Sequence, residues 1–246
     1  ANNENLFGVG FSEFIGKRND AGVTFSDNTL NGRSMFVLDA NDATHLLLAD
    51  EKGQIFVVDA KSADLEIVKL TTVDKTRQYS EVICKNLEAE LLENSSDSTN
   101  PINQVIDAGR IMLAADSLGA SQTMIDKAVD YAKERKQFGR AVGSFQAVKH
   151  MCAEMTADLE PCYALVWHAA HCHDYSPDEA RLMACHTKAH VSEMSKSIAK
   201  KAIEVHGGMG FTDLLGLHYW FKRIGLNRQI LGSPELVREE AYKTQV

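Results

Sequence analysis

The residues best suited to chemistry lie in one segment near the middle of the chain, residues 131–146. Arg135 offers a planar guanidinium, a group that can bind a diphosphate through two parallel charged hydrogen bonds. Phe138 offers a flat apolar contact and Gln146 an amide. The segment ends one predicted helix, turns at two glycines and begins another, so these side chains are expected at a helix end.

A second segment, residues 204–211, closes a later predicted helix with Gly207, Gly208 and Gly210. Glycines allow backbone amides to approach an anion closely, so this loop could face the same diphosphate. Each feature alone has a simpler explanation. Arg135 could interact with a helix C-terminus, and the glycine pair could be an ordinary helix stop.

Two further groups of polar residues have alternative interpretations. Asp107 and Arg110 lie three residues apart on one helical face, which is sufficient for a local ion pair. The densest potential metal cluster is His168, His171, Cys172 and His173 with Asp174. A helix does not present His171 and His173 together, so we interpret the cluster as a polar helix end and expect no metal site.

The elements that must position these residues follow from periodicity. Short β-rich runs broken by turn residues fill the first part of the chain, at 9–14, 23–30, 34–38, 45–48, 55–58, 66–70 and 79–84. Hairpin turns are expected at 19–22 and 50–53. After a polar segment ending in Pro101, the apolar period becomes helical, with helices predicted at 103–136, 142–173, 178–206 and 233–244.

We therefore predict an α+β chain, with an antiparallel β-domain at 1–92 and a four-helix up-and-down bundle at 102–246. The net charge of -8, with no basic tract, argues against a nucleic acid partner. No apolar run approaches the ~20 residues that span a bilayer, and the start has no signal-peptide pattern. The five cysteines are odd in number and without C-x-x-C spacing, so we expect reduced thiols in a cytoplasmic protein.

The motifs resemble those of one family. Residues 131–146 are similar to the acyl-CoA dehydrogenase signature R-x-x-F-G-x-x-x-x-x-F-Q, and residues 204–211 to that family's glycine-rich loop. Residues 106–111, followed by Leu118-Gly119, resemble the start of the helix that binds the CoA thioester. All three occur in the expected order, after a β-domain and a linker.

The resemblance implies FAD as cofactor and a set of roles. Five residues would reach across a subunit interface to the adenine-diphosphate end of a neighbour's FAD: Arg135, Phe138, Gln146, Gly207 and Gly208. Asp107 and Arg110 would contact the pantetheine or adenosine part of an acyl-CoA thioester, as the alternative to a local ion pair. Electrons would pass onward to electron-transfer flavoprotein.

The sequence departs from the family where the catalytic base is expected. The family places a glutamate either before the glycine of a Y-E-G-T-like segment, where this chain has Leu231, or before the arginine of the CoA helix, where it has Gly109. Glu235 and Asp213 are the nearest acids in sequence, but neither matches a base position. The catalytic residue is therefore unassigned.

Three other departures concern the flavin. Residues 11–18 replace the small residues of T-E-P-x-A-G-S-D, Leu38 stands where a threonine faces the flavin, and Glu204 replaces a glutamine beside the diphosphate loop. Residues that reach a neighbour's FAD are kept, while those of the chain's own centre are lost.

This pattern resembles the short subunit of bacterial heteromeric acyl-CoA dehydrogenases, which lacks the family's N-terminal helical domain. We predict that a second subunit supplies the base, and that the pair oxidises a fatty or steroid acyl-CoA to its trans-2-enoyl form. Two alternatives remain: a non-catalytic scaffold that binds neither FAD nor thioester, and a homomeric enzyme with an unrecognised base.

Overall fold

The computed structural model describes residues 5–11, 21–92 and 101–245. The chain divides into two compact units, the first ending at Ile106 and the second beginning at Asp107. The first unit contains a β-sheet, and the second contains helices. The expected α+β class is confirmed.

The first unit contains an eight-stranded sheet. Its strands are β1 Phe7–Gly10, β2 Gly22–Ser26, β3 Thr29–Leu38, β4 His45–Ala49, β5 Ile55–Asp59, β6 Leu65–Lys69, β7 Tyr79–Glu88 and β8 Glu90–Leu91. Their order is β6-β7-β3-β1-β4-β5-β8, with β2 paired to β3. The pairings are antiparallel except that β1 runs parallel to β4, with Phe7 opposite His45. The sheet is therefore mostly antiparallel, as expected.

Turn chemistry explains where the strands end. Asp27 and Asn28 have φ of 51° and 61°, the two positive values of a two-residue hairpin, and they split the run predicted as one strand. At the turn expected at 50–53, Asp50 Oδ1 accepts hydrogen bonds from two backbone amides, each at 2.9 Å. The other expected turn, at 19–22, lies largely outside the described residues.

Two apolar clusters fill the sheet unit. The larger packs β-strand side chains that include Leu30, Leu46, Leu48, Phe56, Val82 and Leu87. The smaller contains Phe11, Ala49, Ile55, Ile102 and Ile106. The two isoleucines belong to the first turns of a helix, so that helix begins inside the sheet unit.

The helices are α1 Pro101–Glu134, α2 Gln146–Tyr175, α3 Pro177–His206, α4 Leu217–Gln229 and α5 Pro234–Lys243. All four predicted helical regions are found, and α4 is an additional helix. Between α1 and α2 the chain forms a small hairpin of β9 Lys136–Gln137 and β10 Arg140–Ala141. Short 3-10 turns cover Ala40–Asp42, Val142–Ser144, Gly207–Phe211 and Asp213–Leu215.

Helices α2 and α3 are joined by Ser176 alone and run antiparallel. Lys201, near the end of α3, bonds Asp158 in the first half of α2 at 3.2 Å, whereas Glu179 at the start of α3 lies beside Cys172 at the end of α2. A core of small and aliphatic side chains, including Met124, Met155, Ile198 and Ile224, joins the helices. Of the helices in the described ranges, none has the length and apolar character needed to cross a membrane.

Candidate functional site

The hairpin after α1 presents Phe138 to solvent. Phe138 and Gly139 occupy its two turn positions with φ of 54° and 76°. Positive φ is unusual for an aromatic residue, and its side chain is nevertheless 91% exposed. The two-residue turn requires positive φ at both positions, and the Phe138 ring makes one edge contact, with Phe145 at 6.1 Å between ring centroids. The rest of the exposed ring is available to a binding partner.

The charged side chains of the hairpin differ in their surroundings. The Arg140 guanidinium lies 3.9 Å from the centre of the Phe145 ring, a cation–π contact. Arg135 is exposed, and its guanidinium forms no ion pair among the described residues. Gln146, the first residue of α2, is also exposed. Arg135 and Gln146 are thus available to an external ligand.

The glycine loop at the end of α3 lies close to the end of α1. The rings of Tyr131 and His206 are 4.6 Å apart, and Arg135 follows one turn after Tyr131, whereas Gly207 directly follows His206. His206 is held by a 2.7 Å hydrogen bond between Nδ1 and the Ala202 carbonyl. The two predicted segments therefore meet at one end of the helical unit.

The glycines in these segments have two different roles. A Cβ atom at Gly143 would lie 2.8 Å from the Ala132 carbonyl, and one at Gly210 would lie 2.6 Å from the Ile203 carbonyl, so both are required for packing. A Cβ at Gly207 or Gly208 would meet nothing within 4 Å. Gly207 is the C-cap of α3 with a φ of 59°, so the helix stop accounts for that glycine. Neither packing nor φ accounts for Gly208, and the open space before the pair leaves room for a ligand.

The residues present fit the diphosphate of FAD. One end of the helical unit carries Arg135, the exposed Phe138 ring and the glycine pair at 207–208. The guanidinium can bind an anion bidentately, and the open glycines let it approach the backbone closely. Glu204, whose charge would repel a phosphate, is exposed. Its carboxylate therefore has room to point away from the ligand.

Asp107 and Arg110 belong to a buried charge network. Arg110 is 0% exposed and bonds Glu240 through two nitrogens, at 2.8 and 3.1 Å, and the Leu231 carbonyl through Nε at 2.8 Å. Arg181 bonds Asp107 and Glu240, each at 2.6 Å. Burial raises the pKa of Asp107 to about 6, although Arg181 and Arg110 oppose the rise. The carboxyl therefore stays ionised at neutral pH.

The local ion pair between Asp107 and Arg110 is present at 3.6 Å. The sequence did not predict Arg181 and Glu240 as members of the network. They lie 74 and 130 residues from their partners, a separation that no local pattern reveals. Contact of Asp107 and Arg110 with a thioester stays a prediction, and it would require an opening in this network.

The two positions at which the family carries its base lie in contact. A Cβ atom at Gly109 would lie 2.5 Å from Leu231 Cδ1, so the leucine side chain covers the glycine. Leu231 has a φ of 57°, and Gly232 follows with 105°. The Arg110–Leu231 hydrogen bond fixes this turn. In this chain an apolar side chain fills the space that either carboxylate would need.

The two nearby acids are poorly suited to act as bases. Glu235 bonds Arg228 at 2.7 Å, and hydrogen bonds from Ser233 and from its own backbone amide, with Arg228, lower its pKa to about 2. The Asp213 side chain is 95% exposed beside His218, so its carboxylate lies in solvent rather than in an enclosed site. A base with so low a pKa accepts a proton poorly near neutral pH.

Two of the predicted departures from the family's flavin site, residues 11–18 and Leu38, lie in the sheet unit. Phe11 is buried in the smaller cluster, and residues 12–18 lie outside the described residues. Leu38 is half-buried in β3, where it pairs with Tyr79 of β7. An irregularity precedes it between Ser34 and Val37, where Phe36 has a φ of 55°.

Comparison with known proteins agrees with these features. A family model for the acyl-CoA dehydrogenase C-terminal domain matches residues 100–244. The caffeyl-CoA reductase-Etf complex subunit CarC of Acetobacterium woodii is 33% identical over 199 residues, covering 74% of this chain and 51% of CarC. Acyl-CoA dehydrogenase IpdE2 of Mycobacterium tuberculosis is 31% identical over 196 residues, covering 80% of this chain and 56% of IpdE2.

A solved structure, butyryl-CoA dehydrogenase from Megasphaera elsdenii, shares the fold with a TM-score of 0.86 at 20% identity, covering 98% of this chain and 68% of that chain. The chain spans about half the length of the curated relatives it matches. The family model covers more than half of the chain. This protein belongs to the acyl-CoA dehydrogenase family, whose members are FAD-dependent flavoproteins.

Proposed function

We propose that the chain is a subunit of an FAD-dependent acyl-CoA dehydrogenase and completes the FAD site of a second subunit. That subunit supplies the base that removes the proton next to the thioester carbonyl. The observation that carries the proposal is the contact of Leu231 with Gly109, because both family positions for the base are here without a carboxylate.

The chain's own contribution is to hold the cofactor. FAD, when bound, accepts the hydride from the β-carbon of the acyl-CoA. Arg135 binds the diphosphate, and the open backbone at Gly207 and Gly208 lets the anion approach. Phe138 provides an apolar surface, and Gln146 adds a hydrogen bond from its amide. All of these residues lie outside the helical core, as contact with a neighbouring subunit requires.

The buried network gives Arg110 an indirect role in this proposal. Its hydrogen bond to the Leu231 carbonyl and its pair with Glu240 hold the turn at 231–232 against α1. A glutamate could not stand at Gly109 unless Leu231 moved. We infer that the turn keeps the space beside Gly109 apolar, and that the acyl-CoA reacts against the partner's carboxylate.

The remaining partners follow from the chemistry and from the relatives. The product would be a trans-2-enoyl-CoA, and the two electrons removed from each acyl-CoA would need an external acceptor. The name of CarC places that relative in a complex with Etf. We therefore propose electron-transfer flavoprotein as the acceptor for the assembled enzyme. The acyl group, fatty or steroid, is open to test.

The decisive experiment counts FAD per chain and measures reduction by acyl-CoA. The chain is purified alone and together with an acyl-CoA dehydrogenase subunit encoded beside it. We expect bound FAD and thioester-dependent bleaching of the flavin only in the complex, with one FAD per pair. Replacing the partner's catalytic glutamate by glutamine should abolish bleaching without loss of FAD.

Two results would contradict the proposal. Full FAD content and bleaching in the isolated chain would favour a homomeric enzyme with an unrecognised base. A complex without FAD would favour a non-catalytic scaffold. Replacing Leu231 by alanine is a useful control, because it opens the space beside Gly109 without adding a carboxylate and should leave the isolated chain inactive.

A further inference from the structure

A cluster of potential metal ligands lies where α2 ends and α3 begins. His168, Cys172 and Glu179 each offer one ligand atom, and these three atoms all lie within 4.8 Å of one another. Cys172 Sγ is 3.7 Å from His168 Nε2 and 3.9 Å from Glu179 Oε2. None of these residues takes part in the candidate FAD site or in the buried network around Arg110.

The helix geometry explains how the three residues meet. His168 and Cys172 are four residues apart in α2, so they lie on the same face, one turn above the other. Because the connection to α3 is Ser176 alone, the first turn of α3 folds back beside the last turns of α2. Glu179 lies in that first turn. The same i, i+4 spacing presents paired zinc ligands on one helix in known metal motifs.

The neighbouring histidines have other contacts. The His171 ring lies 5.1 Å from the Tyr175 ring, and His173 Nδ1 lies 3.4 Å from Asp174 Oδ1. In the sequence analysis these residues formed one candidate cluster with His168 and Cys172, and a helix cannot present all of them to a single metal ion. Glu179, which lies beyond the helix break, completes a set of three that the sequence pattern could not reveal.

We propose that His168, Cys172 and Glu179 bind a zinc ion, with a water molecule as the fourth ligand. With Zn–S near 2.3 Å and Zn–N or Zn–O near 2.0–2.1 Å, tetrahedral geometry places a sulfur about 3.5 Å from its neighbouring ligand atoms. The observed 3.7 and 3.9 Å separations from the sulfur need only a small contraction. The ligand atoms of His168 and Glu179, which lie within 4.8 Å of each other, would approach to about 3.3 Å. A mixed nitrogen, sulfur and oxygen set favours zinc over magnesium or calcium.

The burial pattern suits such a site. Cys172 is 1% exposed, whereas His168 and Glu179 are exposed. The ion would therefore bind to the buried Cys172 sulfur, and the side chains of His168 and Glu179 would bind it from the solvent side. The open side leaves room for the water ligand.

When zinc binds, the Cys172 thiol loses its proton and forms a bond to the metal. Burial, with the nearby Glu179 carboxylate, raises the pKa of the Cys172 thiol. The Sγ–H bond breaks, its proton leaves to solvent, and the Sγ–Zn bond forms without oxidation or reduction.

The test is a titration of the metal-free chain with zinc and, separately, with cobalt. We expect one metal per chain and a thiolate-to-cobalt charge-transfer band in the near ultraviolet. His168→Gln should weaken binding by about 100-fold or more, since even outer partners of a metal ligand contribute 10- to 100-fold. Cys172→Ser should remove the cobalt band.

His171→Gln is the matched control, because it changes an exposed histidine of the same helix that lies outside the three. It should bind zinc as the wild type does. The surface change His168→Gln leaves the core intact, so loss of binding cannot be ascribed to unfolding. Absence of bound zinc at pH 8, or equal affinity in His168→Gln and the wild type, would overturn the proposal. Neither outcome depends on FAD or on a partner subunit.

Discussion

At the scale of single residues, replacing Arg135 distinguishes a role in FAD binding from a role in stabilising the fold. Its guanidinium is exposed and forms no ion pair within the described ranges, so no salt bridge of Arg135 holds the helices together. Charge-assisted hydrogen bonds contribute about 1.5–3 kcal/mol, which corresponds to roughly 10- to 100-fold in affinity. Arg135→Gln should weaken FAD binding to the assembled complex by that factor, measured by flavin fluorescence during titration.

The control for this prediction is Arg238→Gln, which removes another exposed arginine, on α5. It also removes one positive charge and should leave FAD affinity unchanged. Both variants should melt at the wild-type temperature. Equal affinity of Arg135→Gln and Arg238→Gln for FAD would remove Arg135 from the site.

Glu240 offers a test of the buried network. It bonds Arg110, which is 0% exposed, through both carboxylate oxygens. Replacing it by glutamine leaves the buried guanidinium without its main counter-charge, so Glu240→Gln should lower the free energy of unfolding by about 3 kcal/mol. Urea denaturation measures the change.

The adjacent Glu239 is the matched control. Its carboxylate is 61% exposed and pairs with Lys243 at 2.8 Å, one turn away. A surface pair of this kind contributes little, so Glu239→Gln should unfold at the wild-type urea concentration. A similar loss in both variants would mean that the charge of α5, rather than the buried pair, stabilises the unit.

At the scale of elements, α4 shows what periodicity did not reveal. Its buried residues Leu217, Ile224 and Asn227 repeat at seven and three, but an aromatic run and Gly225 obscure the pattern. Polar contacts hold the helix: Asp116 of α1 accepts hydrogen bonds from Arg223 and from Asn227, each at 2.6 Å. Such long-range polar partners are invisible to a local pattern, whereas the long amphipathic helices were predicted to within a few residues.

Lys188 of α3 fixes the end of α4. Its ammonium group is fully buried and donates to the carbonyls of Asn227 and Arg228, at 2.6 and 3.1 Å. Burial, with the positive charges of Arg110 and Arg228, lowers the pKa of Lys188 from 10.5 to about 7. The folded chain therefore releases this proton at a lower pH than the unfolded chain does.

This difference gives a pH dependence with a definite sign. Above about pH 7 the unfolded state holds one more proton than the folded state, so stability should rise with pH by up to about 1.4 kcal/mol per unit. Below pH 7 both states are protonated, and the contribution is constant. Lys188→Met, which lacks the ionisable group, should not show this rise. Parallel stability profiles of the two proteins between pH 7 and 9 would contradict the prediction.

At the scale of the whole molecule, the sequence revealed the order of sheet and helices better than the site. Fold class follows from periodicity. The family motifs predicted that Arg135 and Gly207 bind FAD, and this role stays a prediction. Sequence motifs placed the base positions at Gly109 and Leu231, but only the structure shows that these residues touch. The contact joins positions that are far apart in sequence, so it depends on how α1 packs against the turn after α4.

The division between the two compact units lies within α1, between Ile106 and Asp107. Ile102 and Ile106 are each 1% exposed and pack in the sheet unit with Phe11, Ala49 and Ile55. The first turns of α1 thus contribute core to the sheet, although the sequence pattern assigned them to the helical domain. A chain cut at the polar segment before Pro101 would lose both isoleucines.

Ile106→Ala tests this arrangement in the intact chain. Removing a buried isoleucine side chain leaves a cavity, and such changes cost about 2–5 kcal/mol. Because the cavity lies against β4 and β5, hydrogen exchange should accelerate at the amides of Ala49 and Ile55. Val105→Ala, at a side chain that is 42% exposed on the same helix turn, should leave those amides protected. If Ile106→Ala accelerates exchange only in α2 and α3, the first turns of α1 stabilise the helices rather than the sheet.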